Sequence, residues 1–152
     1  MDVFTVSLFG HRDIDALCLF ENQLDKLVRK LISEKEYVKF LIGRNGEFDE
    51  LAASTIKRAQ RELGKENNDI TLVLPYSVSN IEFYEKYYDD IIIPENVCCA
   101  HPKIAITLKN RWMVDRSDLV IAYVERDNGG AYTAMRYAKK INVDVINIYE
   151  LD

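Results

Sequence analysis

The stretch Met113-Val114-Asp115-Arg116-Ser117-Asp118-Leu119-Val120-Ile121-Ala122-Tyr123-Val124-Glu125-Arg126-Asp127-Asn128-Gly129-Gly130-Ala131-Tyr132-Thr133 decides how this chain folds. Its first residues read as the end of a helix. Leu119 to Val124 is a short, near-continuous apolar run, the pattern of a strand covered on both faces. A charged loop follows, and Gly129-Gly130 turns the chain into another helix. That order puts backbone N–H groups and the positive end of a helix at the carboxyl edge of a parallel sheet, where a phosphate or other anion binds. The stretch points to a nucleotide-like ligand and leaves open whether the ligand is only held or also cut.

Outward from it, strand and helix signals alternate along the whole chain. Val3 to Phe9 reads as a strand ended by Gly10, and Leu17, Phe20, Leu24, Leu27, Val28 and Leu31 form one helical face. Tyr37 to Ile42 is a second strand ended by Gly43. Leu51, Ala52, Thr55, Ile56, Ala59 and Leu63 form a second helical stripe closed by Gly64. Ile70 to Leu74 is a third strand stopped by Pro75. A short aromatic helix is expected over 79–88, and Ile91-Ile92-Ile93 is a short strand or a buried loop. Further helices are expected over 103–117 and Gly130 to Ile141, with Val143 to Tyr149 as the closing strand. The pattern predicts an α/β, three-layer Rossmann-like domain with a mainly parallel sheet of five or six strands. Strands one, two and five should be central and next to the ligand pocket. No repeat, linker or low-complexity tract interrupts residues 1–152, so a single domain is expected.

With 48% hydrophobic and 30% charged residues the chain can build a sizeable core. The formal net charge of −5 argues against a broad electrostatic grip on nucleic acid, so no nucleic-acid partner is expected. Cys18, Cys98 and Cys99 have no CxxC or metal-like spacing, which favours reduced thiols in a cytoplasmic protein and no metal. No apolar run has the length of a membrane span.

Three glycine loops should gather at the carboxyl edge: Gly10-His11-Arg12-Asp13, Gly43-Arg44-Asn45-Gly46-Glu47-Phe48-Asp49, and Glu125-Arg126-Asp127-Asn128-Gly129-Gly130. Each carries an arginine, whose planar fork suits phosphate or carboxylate. The helix after Gly46 opens with Glu47, Asp49 and Glu50, which suit its dipole but repel phosphate, so a ribose hydroxyl is the better partner there. The helix after Gly130 has no acid in its first turn. Its N–H groups and the Thr133 hydroxyl make the better phosphate cradle. His11 could donate to a ligand, act in acid–base chemistry or serve a turn, whereas His101 reads as a loop histidine.

These loops, in this order, resemble the SLOG superfamily of Rossmann-like proteins, which includes the DNA-processing Smf/DprA proteins and the Lonely Guy phosphoribohydrolases. The match is closest to the YpsA-like branch. The matching pieces are Gly10-His11-Arg12, Gly43-x-x-Gly46-x-x-Asp49-Glu50-x-Ala52-Ala53, the segment Asn110 to Asp118, and Gly129-Gly130 followed by Tyr137-Ala138. The resemblance implies a nucleotide-derived ligand held at these loops, by an enzyme or a sensor. The phosphoribohydrolases carry a Pro-Gly-Gly-x-Gly-Thr-x-x-Glu segment. Here Thr133 is retained, Tyr132 replaces a glycine, and Arg136 stands where the catalytic glutamate is expected. Lys109 falls where the family's catalytic arginine stands, with Arg111 two residues on.

The expected function is therefore binding or sensing of a nucleotide, or of an NAD- or ADP-ribose-related ligand, with no cofactor required. The expected ligand-binding residues are Gly10, His11, Arg12, Gly43, Arg44, Gly46, Asp49, Arg111, Gly129, Gly130 and Thr133. One alternative is hydrolysis of a nucleotide N-glycosidic bond, for which Glu47, Asp49 and Asp115 are the candidate carboxylates. Another is a protein-interaction domain with a vestigial pocket, using Phe83, Tyr84, Tyr87 and Tyr88 as a partner surface; core packing is the favoured role of those rings. Homo-oligomerisation stays open.

Overall fold

The computed structural model describes residues 1–13, 17–44, 46–97 and 100–151, with 17–19 described in their backbone only. The Cys98-Cys99 pair, the Cys18 side chain and Asn45 of the second loop lie outside the described residues. The strands are β1 (Val3–Gly10), β2 (Tyr37–Ile42), β3 (Asn68–Val73), β4 (Asp90–Ile92), β5 (Leu119–Tyr123) and β6 (Asp144–Asn147). The helices are α1 (Leu17–Glu34), α2 (Glu47–Leu63), α3 (Ile81–Tyr87), α4 (Pro102–Asp115) and α5 (Gly130–Lys140). The six strands form one sheet in the order β4-β3-β2-β1-β5-β6, and every neighbouring pair is parallel.

Alternation along the strands builds two cores. On β5, Leu119, Ile121 and Tyr123 face α1 and α2, joining Phe20, Leu24, Val28, Ala52 and Ile56. Val120, Ala122 and Val124 face the other way, onto Met113 and Val114 of α4 and Ala134, Met135 and Ala138 of α5. This is the helix–sheet–helix layering that doubly apolar strands require. Phe20, Phe48 and Tyr123 form a ring cluster in the first core, with the Phe20 and Tyr123 centroids 4.2 Å apart.

Several boundaries differ from expectation for local reasons. Helix α4 stops at Asp115 because the next residues turn onto β1. Ser117 Oγ donates to the Met113 carbonyl at 2.7 Å and shares a 2.6 Å hydrogen bond with the Ser7 hydroxyl. Asp118 accepts from the Thr5 N–H at 2.9 Å and donates its own N–H to the Thr5 carbonyl at 2.8 Å. Strand β5 ends before Val124 because a side chain replaces the next rung. Asn147 accepts from the Val124 N–H at 3.0 Å and donates to its carbonyl at 2.9 Å. Strand β6 gives way to a 3-10 turn over Ile148–Glu150. Helix α3 buries no residue. Phe83 is exposed, while Tyr87 and Tyr88 pack only partly on the core, so the core role expected of the aromatic segment holds for that pair and not for Phe83.

Candidate functional site

The chain builds β1 to β4 outward on one side, then crosses to place β5 on the other side of β1. The loops after β1 and β5 therefore leave in opposite directions, opening a crevice at the carboxyl edge where open α/β sheets bind ligands. A cleft of about 440 Å³ lies there. Its lining includes Gly10, His11, Arg12, Gly43, Asp49, Gly129 and Gly130 of the expected residues, and Arg126 and Asn128 from the third loop.

The glycines do different jobs. A Cβ on Gly10 would lie 2.1 Å from Phe48 Cγ, so this position is set by packing of α2 under the β1 loop as well as by any ligand. One on Gly46 would lie 2.5 Å from the Arg12 Cα, and the Glu47 N–H donates to the Arg12 carbonyl at 2.9 Å. The first and second loops are thus in direct backbone contact. A Cβ on Gly43 would lie 3.0 Å from Lys109 Nζ and 3.4 Å from Asp49 Oδ2, so two charged ends converge where that side chain is missing. Gly129 has φ 93°, a conformation that favours glycine, and a Cβ on Gly130 would meet nothing nearer than Asn110 Nδ2 at 3.8 Å.

The first intrahelical bond of α5 runs from the Thr133 N–H to the Gly129 carbonyl at 3.1 Å. The amides of Gly130, Ala131 and Tyr132 precede it and have no intrahelical acceptor, and Gly130 and Ala131 line the cleft. The Thr133 hydroxyl does not join them. It donates back to the Gly129 carbonyl at 3.0 Å, and Thr133 faces a neighbouring groove rather than the cleft.

His11 is buried, and its Nε2 accepts from the Glu125 N–H at 3.0 Å. Nε2 must then be unprotonated, which leaves Nδ1–H as the donor of a neutral ring. Burial, and then the charge of Arg126, hold its pKa below the ordinary imidazole value, with Glu125 pulling the other way. The residue pins the first loop to the third. His101 caps α4, its Nδ1 accepting from the Lys103 N–H at 3.3 Å.

Lys109 is the most unusual side chain in the cleft. It is 2% exposed, and burial lowers its pKa to about 8 against the opposing pull of Asp49. Ile106 and Asn110 of α4 and Tyr76, after β3, complete that wall, and Asn110 Oδ1 is buried without a hydrogen-bond partner. These four were absent from the expected ligand-binding residues. The signal for Lys109 was available: it continues the stripe Ala105, Lys109, Met113, where helical spacing calls for an apolar residue.

Of the candidate carboxylates, Asp49 alone is in the cleft lining. Glu47 is exposed at the start of α2. Asp115 lies toward the opposite, amino edge of the sheet, where it accepts from Tyr137 Oη at 2.6 Å. Arg111 and Thr133 line a second groove, about 520 Å³, with Arg136, Tyr137, Lys139 and Lys140. A smaller hollow touching Asn110, Gly129 and Gly130 on one side and Arg111, Thr133 and Tyr137 on the other joins this basic groove to the cleft. Arg44 faces a separate hollow beside α3. Among the described residues no group of His, Cys, Asp and Glu could hold a metal ion, and no helix is long and apolar enough to cross a membrane.

No family model matches the chain, and no curated protein does. Among solved structures, it is similar to DNA processing protein A from Streptococcus pneumoniae, with a TM-score of 0.67 and 14% identity over 93% of this chain and 49% of that one. It is also similar to DNA processing protein A from Helicobacter pylori, with a TM-score of 0.57 and 17% identity over 93% of this chain and 63% of that one. The chain thus spans less than two thirds of either neighbour, and at these identities the likeness is one of fold. The H. pylori structure is described by its single-stranded DNA binding mode. That finding overturns the expectation drawn from net charge that nucleic acid is not a partner. A net charge of −5 averages over the whole chain and says nothing about the basic groove beside the cleft. The finer YpsA-like resemblance rests on sequence motifs alone. Both of these structural neighbours are DNA processing protein A, and what they share with this chain is the α/β fold.

Proposed function

We propose that the carboxyl-edge cleft binds a nucleotide unit, with its phosphate on the first turn of α5 and its sugar toward Asp49. The observation that carries this reading is the convergence of donors on one cleft. The α5 amides, the neutral His11 and the buried Lys109 all meet there, at the switch point of the sheet. The acidic first turn of α2 suits sugar hydroxyls better than phosphate. Binding is favoured over cleavage of the glycosidic bond. A developing ribosyl cation needs a carboxylate; Arg136, at the position of the family's glutamate, is a cation in the neighbouring groove that donates to Tyr132 Oη at 2.7 Å, which leaves Asp49, beside the Lys109 ammonium, as the one candidate carboxylate in the cleft lining. NAD and ADP-ribose carry the same phosphate and ribose groups and belong to this ligand class. The cysteine usage keeps the proposed compartment cytoplasmic.

A second reading is that the unit belongs to a single strand of nucleic acid. It is favoured by the basic groove that leads from the cleft past Arg111, Tyr137, Arg136 and Lys140, which joins cations to an aromatic ring. Calorimetry with ribose 5-phosphate, nucleoside monophosphates, NAD and a short oligodeoxynucleotide separates the readings. The first expects saturable binding of the small ligands with no base released on prolonged incubation. The second expects tighter, strongly salt-dependent binding of the oligonucleotide that Arg136→Ala with Lys140→Ala weakens. Silence from every probe would remove both.

A further inference from the structure

Helix α3 presents Phe83 and Tyr84 and buries neither, although it sits beside the binding cleft. Phe83 is 66% exposed and stacks edge-on to Tyr84, with centroids 5.4 Å apart at 84°. Between α3, α2 and the second loop lies a hollow of about 270 Å³. Gly43 and Asp49 line both this hollow and the main cleft, so the two spaces are neighbours across the same residues. A whole small-molecule site usually has roughly 300–1,000 Å³, so this space suits one ring system of a larger ligand.

Arg44 provides the polar clue. Its guanidinium carbon lies 5.8 Å from the Tyr84 ring centroid, and its Nε is buried without a hydrogen-bond partner. A buried N–H without an acceptor is costly, and a ligand acceptor would satisfy it. Tyr87 and Tyr88 have a structural role, since both pack partly on the core. Phe83 and Tyr84 are left as an aromatic face over a hollow with one unmet donor.

We infer that this hollow is the base subsite of the cleft: the nucleobase stacks on Phe83 and Tyr84 and gives a ring nitrogen or carbonyl oxygen to Arg44 Nε. The inference rests on the proposed nucleotide reading and adds to it where the heterocycle goes and which side chains hold it. Phosphate, sugar and base then run from α5 across Gly43 and Asp49 to α3. Stacking on aromatic side chains tolerates any base because every base has a π-face, so the subsite selects for a ring before it selects among rings.

The test is calorimetry on the full chain with ribose 5-phosphate, AMP and GMP, on wild type, on Phe83→Ala/Tyr84→Ala and on Arg44→Met. A monophosphate bearing a base should bind roughly 5- to 150-fold more tightly than ribose 5-phosphate, the range expected for base stacking. The double alanine variant should erase that advantage and leave ribose 5-phosphate affinity unchanged. Arg44→Met should remove part of it. Equal affinity of all three probes for wild type, or an advantage that survives the double variant, would overturn the base subsite while leaving the phosphate site in place. Failure of all three probes to bind would instead remove the cleft reading, and this inference with it. Because Phe83 is exposed and Tyr84 is outside the core, unchanged melting temperatures should accompany every outcome.

Discussion

The two edges of the sheet use similar polar chemistry to opposite ends. At the amino edge, Ser7, Ser117 and Asp118 close their hydrogen bonds on Thr5, Met113 and one another. At the carboxyl edge, the first amides of α5 lie beyond the intrahelical ladder, and the buried Asn110 Oδ1 and Arg44 Nε find no partner. Polar groups satisfied within the fold stabilise it. Groups left over at a concave surface are a cost to the fold that a ligand can offset. The contrast holds between these groups and not for every polar atom, since Asn68 Oδ1 at the start of β3 is buried without a partner too: substitutions in the Ser7, Ser117 and Asp118 network should change stability and spare affinity, and those at the α5 amides should do the reverse.

The sharpest way to break this contrast is Gly130→Asp. The added side chain has room, so the fold should survive. Its carboxylate would face the phosphate site and cost about 1–3 kcal/mol in ribose 5-phosphate affinity. Unchanged affinity in calorimetry would move the phosphate elsewhere. Gly10→Ala should do the opposite although it also lines the cleft. Its Cβ meets the Phe48 ring, so overpacking should lower stability in urea by about 1–3 kcal/mol. A Phe48→Leu background should restore part of that loss.

The buried lysine gives both properties a pH dependence of opposite sign. Burial holds its folded pKa at about 8, below the ordinary lysine value of 10.5. Between those values the unfolded chain holds a proton that the folded chain has released, so stability should rise with pH, by on the order of 1 kcal/mol per unit at most. The cleft loses this cation lower, as pH passes through about 8, and affinity for ribose 5-phosphate should fall there. Lys109→Met should flatten both slopes. The smallest effect is expected from Ser7→Ala, which removes buried hydrogen bonds at the amino edge. It should cost about 1 kcal/mol of stability and leave affinity unchanged.

What was legible in the sequence follows from what is local. Apolar runs such as Leu119 to Val124 and stripes such as Leu51 to Ala59 report burial directly, so the layers and the parallel sheet could be read from them. The glycine loops could be placed at one edge by topology alone. The jobs of the individual glycines could not, because the Phe48 ring against Gly10 and the Arg12 backbone against Gly46 are contacts between separate elements. Lys109 and Asn110 were harder still. They reach the cleft from α4, the crossover helix, rather than from a loop that follows a strand. The Thr133 hydroxyl is turned from the cleft for a related reason. Its nearest acceptor is the carbonyl four residues back in its own helix, which captures it before a ligand can. Net charge is a poor guide to nucleic acid because a sum carries no position, and it misses the basic groove beside the cleft.

The contact between Gly46 and the Arg12 backbone limits how this cleft can be re-engineered. The first two loops touch main chain to main chain, with the Glu47 N–H bound to the Arg12 carbonyl. Lengthening one of them, or grafting it from another protein, would lift the other off the sheet edge. Among the described residues, the His11 ring links the first loop to the third by accepting from the Glu125 N–H. A library aimed at new ligand preferences should therefore exchange the first two loops as one cassette and vary the third independently.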